Sequence, residues 1–254
     1  MSANGRTERI AEASPRLLAR FAGLFYLLYI LIGVFGEYFI SDKLIVDGDA
    51  VESAHRLLAH ESLFRWGFAT DILMVACYLA VTLLFYEIFN PVNRRLSLLA
   101  AWFGLAGCNL EALSSLYHLA PLAVLKGGQY LSVFKVEQLQ ALAFLSLDLC
   151  AQVFNTALIF FGFYFILIGY LIFRSTFLPR ILGVLMAISG LVWLTFLSPP
   201  LADYLSAYLP IGVLGEGALA LWMLLKGVNV QRWKEQAAAT AGVLEFSGNV
   251  EEMK

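Results

Sequence analysis

Apolar residues gather into six long runs, at residues 17–40, 66–89, 96–120, 148–173, 180–198 and 205–226. A bilayer's hydrocarbon core is about 30 Å thick and takes ~20 helical residues to cross, so each run is predicted as a membrane span. Helix is the required conformation, because lipid offers no partner for backbone amides and these lengths far exceed a barrel strand. Helix breakers sit between the runs. Asn90-Pro91 follows the second, Pro121 closes the third, Pro179 opens the fifth and Pro199-Pro200 ends it. The pattern predicts an all-α, polytopic membrane bundle of six transmembrane helices filling residues 17–226.

The polar connections are unequal. Residues 41–65 carry Asp42, Asp47, Asp49, Glu52 and Glu61, with Val51, Ala54 and Leu58 at helical spacing, which predicts a short helix lying on the bundle's surface. Residues 122–147 hold a Gly127-Gly128 turn and then the apolar-rich EQLQALAFLSLDL. An unbroken helix from Val136 to Phe173 would be about 57 Å long at 1.5 Å per residue, longer than the bilayer is thick. The sequence leaves two solutions open, a break near Asp148 or a helix that projects beyond the membrane. Residues 227–254 are polar with many Ala and Gly, and are expected to form a tail with little order.

Basic residues orient the bundle. Arg6, Arg9, Arg16, Arg20, Arg94, Arg95, Arg174, Arg180, Lys226, Arg232, Lys234 and Lys254 all fall on one side of a six-span chain, out of 17 Lys and Arg in total. Lys43, Arg56, Arg65, Lys126 and Lys135 fall on the other. Positive loops stay inside, so both termini, segment 1–16 and tail 227–254 included, are expected on the cytoplasmic side of the cell membrane. Arg16 and Arg20 before the first run resemble a signal peptide's n-region. The run from Leu17 to Ile40 nevertheless outlasts an h-region of about 7–15 residues, and no A-x-A-like site follows it.

Composition narrows the function classes. Of 254 residues 60% are hydrophobic and 14% charged, too few charges for a water-soluble shell. A net charge of −2 and the absence of a basic stripe interleaved with aromatics set nucleic acid aside as a partner. The partner that remains is the lipid bilayer. Cys77, Cys108 and Cys150 lie in or beside apolar segments without CxxC spacing, and read as packing residues rather than a disulfide framework or a zinc site. No cofactor is expected.

Ionisable groups inside spans are costly, so each is a candidate for function. Asp71 lies near the outer end of span two, Glu111 and His118 in the outer part of span three, Asp148 at the start of span four, and Glu216 near the middle of span six. Glu111, Ser115 and His118 follow i, i+4, i+7 on one face, and Asp148, Gln152 and Asn155 repeat that spacing. Both stripes are expected to face the bundle interior and, with Asp71 and Glu216, to line a polar cavity open to the outer side. The glycines of Gly215-Glu216-Gly217 leave room beside that carboxylate, and Pro210 could interrupt span six. His60 and Glu61 stand at the cavity's mouth. With Asp71 and His118 they could surround a divalent metal, although no H-E-x-x-H or paired-histidine motif occurs and no metal ligand set is assigned.

The segments KLIVDGDA, AHESLFRWGF, FNPVNRRLSLLAAWF, GGQYLSVFKVEQLQALAFLSLDL, FFGFYFILIGYLIFRSTFLPRILGVLMAISGL and GEGALALWMLLKGVN resemble, in order, a mainly bacterial membrane family described as domain of unknown function 4386. The resemblance spans Arg20 to Asn229. It implies the membrane architecture and no particular reaction. His60, Glu61, Asp71, Asp148 and Glu216 look like positions of the family pattern, which often has histidine where this chain has Cys150 and Tyr164. Three functions stay open: binding or transport of a small polar solute or ion, a membrane-embedded hydrolase of lipid-like substrates with or without a metal, and a non-catalytic regulatory or interaction subunit.

Overall fold

The computed structural model describes residues 14–240, and every regular element among them is helical. Six helical segments are long and apolar enough to cross a membrane, so this is a multi-pass membrane protein. The spans are built on α1 (Pro15–Gly36), α3 (Glu61–Phe89), α4 (Arg94–His118), α6 (Val136–Arg174), α7 (Arg180–Trp193) and α9 (Leu209–Leu225). Three short helices, α2 (Ala50–Ala59), α5 (Ala120–Lys126) and α8 (Pro199–Tyr204), lie in the connections. A final helix, α10, begins at residue 230 and runs to the end of the described residues.

The spans form a closed ring. Each packs on its neighbours in chain order, α1 on α3, α3 on α4, α4 on α6, α6 on α7 and α7 on α9, and α9 returns to α1. Short loops force neighbouring helices to run antiparallel, so the connections divide between two ends. One, the connector end, carries α2, α5 and α8. The other, the terminal end, carries Pro15, Asn90, Ser175 and Lys226. Aromatic side chains fill the middle of the ring: Tyr26, Tyr78, Phe85, Phe161 and Tyr164 are fully buried.

Glycine sets the spacing of α6 and α7. A Cβ on Gly169 would lie 2.6 Å from the Gly183 carbonyl oxygen, and one on Gly190 would lie 2.7 Å from that of Gly162. Small residues let two backbones approach where lipid supplies no hydrophobic drive to associate.

Helix α6 resolves the question left by its sequence. It runs unbroken for 39 residues, so 136–147 continue the fourth helix and there is no break near Asp148. At 1.5 Å per residue it is longer than a hydrocarbon core is thick, and its first turns pack against α2 and α5. A second apolar cluster, Ile40, Leu44, Leu57, Phe64, Leu122 and Leu147, forms there, which gives the projecting helix a core of its own.

Three further expectations change. The surface helix exists as α2, capped by the Asp49 carboxylate accepting from the N–H groups of Val51 and Glu52. It turns Ser53, Ala54 and Leu57 inward and leaves Val51 and Leu58 exposed, because Ser53 Oγ binds the Val46 backbone and fixes the rotation. Pro210 sits in the first turn of α9, where its missing N–H costs nothing, and so starts that helix instead of interrupting it.

The tail is ordered as far as it is described; residues 241–254 lie outside the described residues. Gly227, at φ 68°, ends α9. Asn229 then caps α10, its Oδ1 accepting from the Arg232 N–H. Helix α10 lies across the terminal end: Trp233 Nε1 donates to Ile88 O at 2.9 Å, Thr240 Oγ1 to Pro91 O at 2.8 Å, and Gln236 Oε1 accepts from Thr176. The first two bonds satisfy carbonyls at and just beyond the end of α3, the first of them one that helix geometry leaves without a partner, and the third ties α10 to the turn after α6.

Candidate functional site

Helix α4 enters from Asn93, whose side chain caps it by accepting from the Leu96 N–H. Its period of about 3.6 residues per turn carries Glu111, Ser115 and His118 round to the side facing α3. There His118 Nδ1 meets Asp71 Oδ2 at 2.9 Å, and His118 Nε2 meets the Phe64 carbonyl oxygen at 3.0 Å. The imidazole also stacks on the Phe64 ring, with centroids 4.3 Å apart. A carbonyl oxygen only accepts, so Nε2 carries a hydrogen. Nδ1 can then bond to Asp71 only if a proton lies between them, either on the imidazole or on the carboxyl. The pair therefore holds one proton in a fixed place.

A cavity of about 60 Å³ opens beside this pair, walled by Asp71 and Met74 of α3, Glu111, Ser114 and Ser115 of α4 and Phe154 of α6. Its volume is several times the ~10–15 Å³ needed for one water. Glu111 is 4% exposed, and neither carboxyl oxygen has a hydrogen-bond partner. The Tyr29 phenol faces it without closing a bond. Both serine hydroxyls are engaged elsewhere. Ser115 Oγ donates to Glu111 O, and Ser114 Oγ donates to Cys150 O at 2.8 Å, tying α4 to α6. A carboxyl group buried at such depth with nothing to bond to costs several kcal/mol in rough terms, unless something occupies the space before it.

Glu216 belongs to a different constellation. Its Oε2 accepts from Tyr26 OH at 2.9 Å and its Oε1 from Trp193 Nε1 at 2.8 Å, joining α9 to α1 and α7. Each oxygen is satisfied, and the carboxylate lines no part of the cavity. Gly215 brings this about, since any Cβ there would collide with Ser189 and Leu185 of α7. Between Glu111 and Glu216 lies a group of buried hydroxyls, those of Tyr78, Tyr164 and Thr82, that also lack partners.

The second polar stripe does not reach the site. Asp148 and Gln152 are exposed, so the inward orientation expected for these two is corrected, and Asn155 is half-buried without lining the cavity. Length gives the reason. Along α6, Asp148 lies about 39 Å from Arg174 at 1.5 Å per residue, beyond a hydrocarbon core of about 30 Å, where an exposed carboxylate costs little. By the same measure Asp71 lies about 27 Å along α3 from Phe89, still near the membrane's edge, and Glu216 about 14 Å along α9 from Leu225, close to its middle.

At the mouth, His60 is exposed, while Glu61 pairs with Arg65 and Lys126 and so fastens the end of α5 to the start of α3. Neither reaches the Asp71 and His118 pair as a ligand: among the described residues no three His, Cys, Asp or Glu side chains converge as a metal-binding group. Cys150 stands by the cavity wall against Ser114, and Tyr164 lies in the aromatic core.

Sequence reasoning missed Tyr26, Tyr29 and Trp193 as partners and neighbours of the buried carboxyls. The available signal was weak but real: a Tyr or Trp inside an apolar run brings a polar tip that must find a partner once buried.

A family model described as Domain of unknown function (DUF4386) matches residues 21–227. No curated protein and no solved structure matches the chain.

Proposed function

We propose, for a chain that belongs to the DUF4386 family of unknown function, that the cavity walled by Asp71 and Glu111, with His118 behind Asp71, binds a small cation or proton for passage into or across the bundle. One observation carries this reading: Glu111 is a buried carboxyl with no hydrogen-bond partner on either oxygen, and it walls a cavity large enough for an ion with a few waters. The cavity's volume of about 60 Å³ is far below the ~300–1,000 Å³ of typical small-molecule sites, which favours an ion over a polar solute. Asp71, which walls the same cavity and is held in place by His118, supplies a second carboxyl group to the ion. The basic bias of the terminal end supports cytoplasmic termini and a cavity near the outer face.

The metal-dependent hydrolase reading gains nothing comparable, since among the described residues no three His, Cys, Asp or Glu side chains converge. Proteoliposomes test the proposal. Purified protein is expected to carry protons or alkali cations down an imposed gradient, read by an entrapped pH dye and by tracer uptake, and Glu111→Gln to abolish the flux. Flux unchanged by Glu111→Gln, or absent for all of these ions in the unaltered protein, overturns the reading.

A further inference from the structure

The terminal end holds a second concavity that the ion site does not use. It is a groove of about 430 Å³ where the start of α1 meets the end of α9 and the turn after α6, lined by Arg16, Trp222, Lys226 and Asn229 with Phe177 at its base. The two helix ends touch: a Cβ on Gly227 would lie 3.0 Å from Arg16 Cγ. Left-handed Gly227 turns the chain away at that point and leaves the groove open.

Its polar lining is one-sided. Arg16 and Lys226 are cations exposed to the groove, and among the described residues neither forms an ion pair with a carboxylate. Asn229 spends its acceptor on the Arg232 N–H, so its amide NH₂ adds another donor. Among the described residues no acidic side chain lines the groove. Donors without acceptors select an anion, and a guanidinium beside an ammonium suits phosphate.

Location selects the source of that phosphate. The groove lies where two membrane spans end, with Trp222 at its rim, a residue type that settles at headgroup depth. Exposed apolar side chains continue from it along both helices, Leu17 on α1 (50% exposed) and Leu221 and Leu225 on α9 (46% and 65%). A soluble phosphate would use the cations and ignore that surface. A phospholipid would use both, headgroup in the groove and acyl chains along α1 and α9.

We propose that this groove is a binding site for an anionic phospholipid headgroup, held by Arg16, Lys226 and Asn229. It is independent of the ion site. Basic pockets between span ends on the cytoplasmic side are a recurrent way to hold such lipids.

The test uses the full chain in neutral detergent, titrated with phosphatidylglycerol, with phosphatidylcholine of the same acyl chains, and with inorganic phosphate, following thermal unfolding. Phosphatidylglycerol is expected to raise the melting temperature, and the other two are not. Each interfacial cation adds roughly fivefold in affinity, so the double variant Arg16→Gln/Lys226→Gln is expected to bind phosphatidylglycerol ~25-fold more weakly. Arg95→Gln, at the same end but outside the groove, is expected to bind as the unaltered protein does. Equal stabilisation by both lipids, an unaltered affinity in the double variant, or an equal loss in Arg95→Gln overturns the proposal. Equal stabilisation by inorganic phosphate overturns its assignment to lipid.

Discussion

His118 bridges Asp71 and the Phe64 carbonyl, one at 2.9 Å and the other at 3.0 Å, and so fixes a proton between an imidazole and a carboxyl group at the membrane's edge. Asp71→Asn preserves both contacts, because an amide N–H can donate to Nδ1 while Nε2–H still serves Phe64. Its stability is expected within about 1 kcal/mol of the parent. Asp71→Ala leaves Nδ1 unpaired and is expected to cost about 1–3 kcal/mol. Thermal or denaturant unfolding of the solubilised protein reads the difference. Equal losses in the two variants would show that the pair is not held through this hydrogen bond.

Glu216 is predicted to clamp helices rather than to bind the ion. Its replacement by glutamine keeps an acceptor for Trp193 Nε1 and offers a donor to the Tyr26 oxygen, so Glu216→Gln is expected to fold within ~1 kcal/mol of the parent and to retain flux. Glu216→Leu strands both donors in the core and is expected to cost about 2–6 kcal/mol, summing the ~1–3 kcal/mol of each buried unpaired group. Loss of flux in a well-folded Glu216→Gln would move this carboxylate into the ion path.

The close passage of α6 and α7 predicts intolerance to side-chain volume at their shared glycines. Gly183→Ala places a methyl against the Gly169 carbonyl and is expected to destabilise by roughly 1–3 kcal/mol, as overpacked cores do. Gly217→Ala makes the control, since a Cβ there meets nothing within 4 Å. Melting temperatures of the two variants decide the matter.

Helix α10 is predicted to brace the terminal end. Trp233→Phe keeps most of the ring's packing but removes the bond to Ile88 O, at an expected cost of about 1 kcal/mol. Ending the chain after Val228 removes every bond from α10 and is expected to lower the melting temperature further and to expose the Asn90-Pro91 turn to protease. A truncated protein as stable as the full chain would reduce α10 to an appendage.

Orientation is testable by labelling. In a chain whose three native cysteines are replaced by alanine, His60→Cys is expected to react with an impermeant thiol reagent added outside intact cells. Thr176→Cys is expected to react only after the membrane is opened. The reverse pattern inverts the topology, and with it the side from which the ion cavity opens.

The sequence by itself determined the number and order of the spans, because apolar run length and helix breakers are local properties that lipid enforces on each segment separately. It also exposed the stripe of Glu111, Ser115 and His118, since residues spaced i, i+4, i+7 share a face whatever the helix packs against. What it left open was which way each face turns and how far each helix extends. Asp148, Gln152 and Asn155 carry the same spacing as the α4 stripe, and yet Asp148 and Gln152 are exposed, because α6 is longer than a hydrocarbon core is thick. Glu216, in the middle of the membrane by sequence depth, is taken up by Tyr26 and Trp193, partners from two other spans. Helix α10 was hidden in a polar tail because its stability comes from carbonyls at the end of α3 and from Thr176, groups brought within reach only when the ring closes. Helical periodicity is written into the chain, while rotation, partnership and depth are settled by contacts between distant segments.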